Sequence, residues 1–83
     1  MAELEQALNE AGFKWRDCSN EVMARKRVTL TDDLSMSIIR GQFSIGGNED
    51  LYEIAMLKNG KVDDSSVEGY LALEEVMEKL NIK

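Results

Sequence analysis

The sequence predicts an α+β fold: an N-terminal helix, a three- or four-stranded antiparallel sheet, and a C-terminal helix, both helices on one sheet face. Three observations carry this. Apolar residues recur at helical spacing at both ends of the chain, they alternate with polar residues in the middle, and an Asn-Gly pair punctuates the second half. Eighty-three residues with no proline make one domain without a Pro-rich linker.

Leu4, Ala7, Leu8 and Ala11 follow the i, i+3, i+4, i+7 rule, and Gly12 stands where a left-handed cap closes a helix. Glu3 and Glu5 lie in the first turn, where the helix dipole favours acids. The period then becomes two. Phe13 and Trp15 alternate with Lys14 and Arg16, and Cys18-Ser19-Asn20 forms a turn. From Glu21 to Leu30, Val22, Ala24, Val28 and Leu30 share one face, with Lys26 an intruder among them. Thr31-Asp32-Asp33 turns the chain again.

Leu34, Met36 and Ile38 share a face, whereas Phe43 and Ile45 have the other parity, so a bulge is expected near Arg40-Gly41. Residues 46–50 read as a loop, and Leu51 to Leu57, apolar on both faces apart from Glu53, as a central strand. Asn59-Gly60 signals a hairpin, although the pattern leaves open whether Lys61-Val62 starts a return strand. Asp63-Asp64-Ser65-Ser66 reads as a polar loop, and Val67 to Leu71 as either an edge strand or the approach to the last helix. Leu73, Val76, Met77 and Leu80 restore helical spacing opposite Glu74, Glu75 and Glu78. The predicted core comprises Leu4, Leu8, Phe13, Trp15, Val22, Val28, Met36, Ile38, Phe43, Ile45, Ile54, Met56, Val76, Met77 and Leu80.

Composition narrows the chemistry. With no histidine, the commonest general base and metal ligand is missing, and Cys18 has no imidazole to activate it. A lone cysteine also forms no intramolecular disulfide and no metal cluster. The acid pairs Asp32-Asp33, Glu49-Asp50 and Asp63-Asp64 lack the alternating ligands and central glycine of a calcium loop. Gly46-Gly47 is not followed by the lysine of a phosphate loop. The expectation is a protein that binds and does not catalyse, with no cofactor and no metal. No apolar run approaches the roughly 18 residues of a membrane span. The acidic start, Met1 to Glu5, lacks the basic region of a signal peptide, so a cytoplasmic location is expected.

Sixteen acids against ten bases give a net charge of −6, unevenly spread. Residues 41–83 hold nine acids and four bases. This predicts an acidic surface of Glu49, Asp50, Asp63, Asp64, Glu74, Glu75 and Glu78 that occupies a basic groove on a protein partner, carboxylates standing in for phosphates. The same acids also confer solubility. Lys14, Arg16, Arg25 and Arg27 form a basic patch on the sheet face away from the helices, which supports a second reading, contact with nucleic-acid phosphates. A solvated face balanced by Glu21 and Glu53 explains that patch without function. A third reading is a self-associating module, a homodimer joined through the two-sided strand near Leu51–Leu57 and the outward Ile39.

Tyr52-Glu53-Ile54-Ala55-Met56, Lys58-Asn59-Gly60-Lys61, Val67-Glu68-Gly69-Tyr70-Leu71 and Glu74-Glu75-Val76 resemble segments of small acidic proteins carried by bacteriophages and other mobile elements. The resemblance covers roughly residues 51–80 and consists of spacing. It implies a bacterial cytoplasmic protein that binds and inhibits a host machine such as a nuclease, in the manner of anti-CRISPR proteins. It assigns no site residue.

Overall fold

The computed structural model describes residues 2–21, 23–41 and 51–82. Helix α1 (Ala2–Glu10) leads into strands β1 (Lys14–Asp17), β2 (Met23–Thr29), β3 (Leu34–Gly41), β4 (Tyr52–Lys58) and β5 (Lys61–Leu71), and α2 (Leu73–Lys79) closes the chain. The strands form one antiparallel sheet in sequential order, β1 to β5. There are five, not three or four. The additional strand comes from the segment after Asn59-Gly60, where the sequence pattern was open. Asn59 (φ 53°) and Gly60 (φ 81°) both take positive φ, the requirement of a two-residue type I′ turn, so the chain must reverse onto β4 with Lys58 opposite Lys61.

β5 then runs eleven residues and absorbs Asp63-Asp64-Ser65-Ser66, read from sequence as a loop. Those polar residues remain in the strand through irregular pairing. Met56 faces Asp63 while Ile54 faces Glu68, so β5 moves five positions where β4 moves two. The Ser66 hydroxyl accepts the Met56 amide at 2.8 Å and donates to the Asp63 carbonyl at 2.6 Å, which pairs backbone groups that the ladder leaves open. Val67 to Leu71 is therefore strand.

Elsewhere the register is regular, and it sorts side chains between two faces. Trp15, Val28, Met36 and Met56 share one row and Ile38 with Ile54 the next, all on the face that buries the core. Leu4 and Leu8 of α1, with Val76 of α2 and Leu80 at its cap, join the same cluster. Gly12 (φ 80°) ends α1 as its position predicts, and the Phe13 amide donates to the Leu8 carbonyl. Tyr52 and Leu71, absent from the predicted core, are buried opposite each other at the base of α2. Met77 is half-buried outside the cluster. Pairing of β3 with β2 runs without a shift through Gly41, so the described residues contain no bulge at Arg40-Gly41. Val22, Phe43 and Ile45 lie outside the described residues.

Lys26 is the largest departure from the sequence pattern. It sits on the core face with only 4% of its surface exposed. Its ammonium reaches Glu5 of α1 at 2.7 Å and Asp17 of β1 at 3.3 Å, and lies 5.2 Å from the centre of the Trp15 ring. The aliphatic stem fills the core while two carboxylates and an aromatic face take the charge. Burial alone would lower the lysine's pKa; the two carboxylates together outweigh it and hold the group above its ordinary value.

Candidate functional site

Two surfaces of opposite character emerge. The open sheet face presents Lys14 and Arg16 from β1 and Arg25 and Arg27 from β2, as their parity predicts. Arg16 and Arg27 are direct cross-strand partners, and Lys14 is opposite Thr29. Among the described residues no salt bridge reaches any of these four cations. Glu53 lies in the same row as Arg25 but faces Ile39, so the balancing role expected of it is not made. The Arg27 Nε donates to the Ser35 hydroxyl at 3.2 Å, which fixes the guanidinium over the face.

Lys14, Arg16 and Arg27 share a concavity of about 440 Å³ with Thr29, Ser35 and Asn59. Its rim is the β2–β3 turn. There the Thr31 hydroxyl donates to the Asp33 carboxylate at 2.9 Å and accepts the Leu34 amide. The Asn59 amide donates to the Asp33 carbonyl at 2.7 Å, tying this turn to the β4–β5 turn. Arg25 lies apart, its guanidinium against the Met23 sulfur.

The second surface is the opposite edge. Asp63 and Asp64 lie on β5, and Glu74, Glu75 and Glu78 are exposed on α2. Glu49 and Asp50 fall outside the described residues. The five described acids are not equivalent. The Asp63 carboxylate accepts both the amide and the hydroxyl of Ser65, and the Glu75 carboxylate accepts the Ala72 amide at the start of α2. Glu75 thus caps its own helix, since Ala72 has no side-chain acceptor to offer. Glu68, not singled out from sequence, joins Lys79 through both carboxylate oxygens at 3.0 and 3.2 Å and fastens α2 to β5.

Charge is only half of this edge. Three large apolar side chains stand exposed among the described residues, Val62 (54%), Val67 (39%) and Tyr70 (61%), and all three belong to β5. Tyr70 holds φ at 58°, a left-handed conformation that bulky side chains avoid, at the irregular stretch between the Glu68 and Leu71 rungs. The sequence pattern does not single out these residues, because 63–66 read as a polar loop and 67–71 fit either an edge strand or the approach to α2. The available signal was three apolar residues too sparse to form a helical stripe.

Among the described residues no helix is long and apolar enough to cross a membrane. No protein-family model, curated protein or solved structure matches this chain.

Proposed function

We propose that this protein is a non-enzymatic binding module whose β5–α2 edge docks on a basic surface of a partner protein and competes there with nucleic acid. The single observation that carries this is that Val62, Val67 and Tyr70, the exposed large apolar side chains among the described residues, all lie on β5, the edge strand that also carries Asp63 and Asp64 and is joined to the acidic helix α2 through Glu68 and Lys79. Acids alone are explained by solubility; apolar side chains held in water beside them are not. An aromatic anchor within a charged surround is the usual composition of a protein interface, in which the anchor supplies affinity and the charges supply encounter rate and partner choice. Tyr70 carries an added sign, since the strand takes up left-handed backbone at a tyrosine in a place that leaves its ring outside.

The resemblance to mobile-element inhibitors of bacterial machines agrees with this reading and supplies the partner class, a nuclease or another nucleic-acid-binding protein.

The test is affinity capture from a bacterial lysate using the wild-type chain, Tyr70→Ala, and the combined Glu74→Gln, Glu75→Gln and Glu78→Gln variant. Glutamine at position 75 still accepts the Ala72 amide, so the helix cap is kept. The expected partner is basic, is released by excess nucleic acid, is lost with Tyr70→Ala, and associates more slowly with the triple variant at low salt. Equal capture by all three chains would sink the proposal.

A further inference from the structure

The concavity on the open sheet face meets the β4–β5 turn but uses none of the side chains assigned to the docking edge. We infer that it is a binding site for a small phosphate monoester bearing hydroxyl groups. Three features converge. Arg16 and Arg27 stand directly opposite each other across β1 and β2, with Lys14 diagonal to Arg27 on the same face. Like charges in cross-strand register destabilise a sheet unless something lies between them. Among the described residues nothing does, because no carboxylate forms a salt bridge with any of the three. The nearest acids, Asp32 and Asp33, are on the rim of the concavity, and Asp33 is already occupied by the Thr31 hydroxyl.

The second feature is preorganisation. Arg27 is held from below by the Ser35 hydroxyl through Nε, which leaves its two terminal nitrogens to donate into the concavity. The bond from the Asn59 amide to the Asp33 carbonyl joins the two turns that form one wall. Gly60 takes φ 81° in the second of these turns and lies beside the Arg27 guanidinium.

The third feature is size and polarity. A volume of about 440 Å³ falls in the range of small-molecule sites, roughly 300–1,000 Å³, and is too small to enclose a nucleic-acid strand. Two guanidinium forks and an ammonium match a tetrahedral oxyanion with several acceptor atoms. The rim then offers Asp32 as acceptor and Asn59 as donor and acceptor, complementary to hydroxyls on the body of the ligand. The net charge of −6 disfavours a long polyanion at a distance but leaves a short-range contact to one phosphate intact.

The experiment is isothermal titration and amide chemical-shift mapping of the full chain with four probes: a nucleoside monophosphate, a sugar monophosphate, inorganic phosphate and a short single-stranded oligonucleotide. The expected result is saturable monoester binding, with shifts confined to residues around Lys14, Arg16, Arg27 and Asn59, and weaker binding of inorganic phosphate. The two esters distinguish whether a base adds affinity to the shared phosphate and hydroxyl contacts. Arg16→Gln and Arg27→Gln should each weaken the monoester about tenfold or more. Arg16 is exposed, so its variant reports on the site even where Arg27→Gln disturbs folding. The inference is overturned by the absence of saturation at millimolar ester, by unchanged affinity in Arg16→Gln, or by tighter binding of the oligonucleotide with a steep salt dependence, which would make the face a polynucleotide track.

Discussion

The two edges of the sheet are built on opposite plans. At the β1 edge every rung from Lys14–Thr29 to Asp17–Lys26 is in register, and the strand is locked from the helix side. The Trp15 indole donates to Asn9 of α1 at 2.9 Å, and Lys26 reaches both α1 and β1. At the β5 edge the register shifts twice, a serine hydroxyl replaces a backbone partner, and a tyrosine takes left-handed backbone. Each edge breaks the rule that charge lies outside and apolar groups inside. The β1 edge buries a lysine; the β5 edge exposes two valines and a tyrosine. The breach at β1 is fully compensated by partners within the chain, which marks it as structural. The breach at β5 has no partner within the described residues, and the proposed docking function rests on that contrast.

The largest expected effect contrasts the centre of the sheet with the β5 edge. Ile38 is fully buried on β3 between Lys26 and Ile54, so Ile38→Ala should cost about 2–5 kcal/mol. Val67→Ala on β5 should change stability by less than about 0.5 kcal/mol. Urea unfolding of both variants checks this, and a comparable cost at Val67 would make β5 part of the core.

Next comes Lys26. Lys26→Ala removes the stem, the ion pairs and the ring contact together and should cost about 2–3 kcal/mol, less than a fully buried pair because both carboxylates are partly exposed. Lys26→Met keeps the stem and removes the charge, and should lie within about 1 kcal/mol of wild type. If the methionine variant is as unstable as the alanine one, charge and not packing holds this edge.

A smaller effect of opposite sign is expected at Tyr70. Tyr70→Gly relieves left-handed backbone at a residue already 61% exposed, so it should raise stability by about 0.5–1 kcal/mol while abolishing partner capture. Loss of stability would mean that the ring supports the edge from within.

Much of the first edge was legible in the sequence, and little of the second. Period-two alternation within each of two runs, one on either side of the Cys18-Ser19-Asn20 turn, placed Lys14 and Arg16, and then Arg25 and Arg27, on the outward face, because one parity governs each regular strand. It gave no account of Lys26, since alternation cannot see a carboxylate arriving from a helix 21 residues earlier, at Glu5. At β5 the alternation itself is broken: three extra residues between the Asp63 and Glu68 rungs erase the periodicity by which a strand is read. The acids there were found by composition, which could not show that Glu75 caps α2 or that Glu68 is the residue joined to Lys79.

The smallest effect expected is a pH dependence confined to the β1 edge. Asp17 is held at about 2, below the ordinary 3.8, chiefly by the Ser19 hydroxyl and then the Ser19 amide, with Lys26 adding to the shift and desolvation opposing it. A carboxyl depressed on folding binds its proton more readily when unfolded. Its contribution is therefore complete above pH 3.8 and disappears as pH falls from there toward 2. Lys26, raised on folding, contributes at every pH below its ordinary 10.5 and loses its effect only as pH climbs through its folded value, so it is silent in the acid window. Thermal unfolding between pH 5 and pH 2 should thus be less steep in Asp17→Asn than in wild type, whereas Lys26→Met should keep most of the wild-type slope. Because the Ser19 hydroxyl leads among the causes, Ser19→Ala should flatten the curve more than Lys26→Met does, with the Ser19 amide bond to Asp17 retained. The reverse order would place the origin of the acid sensitivity in the buried ion pair instead of the turn after β1.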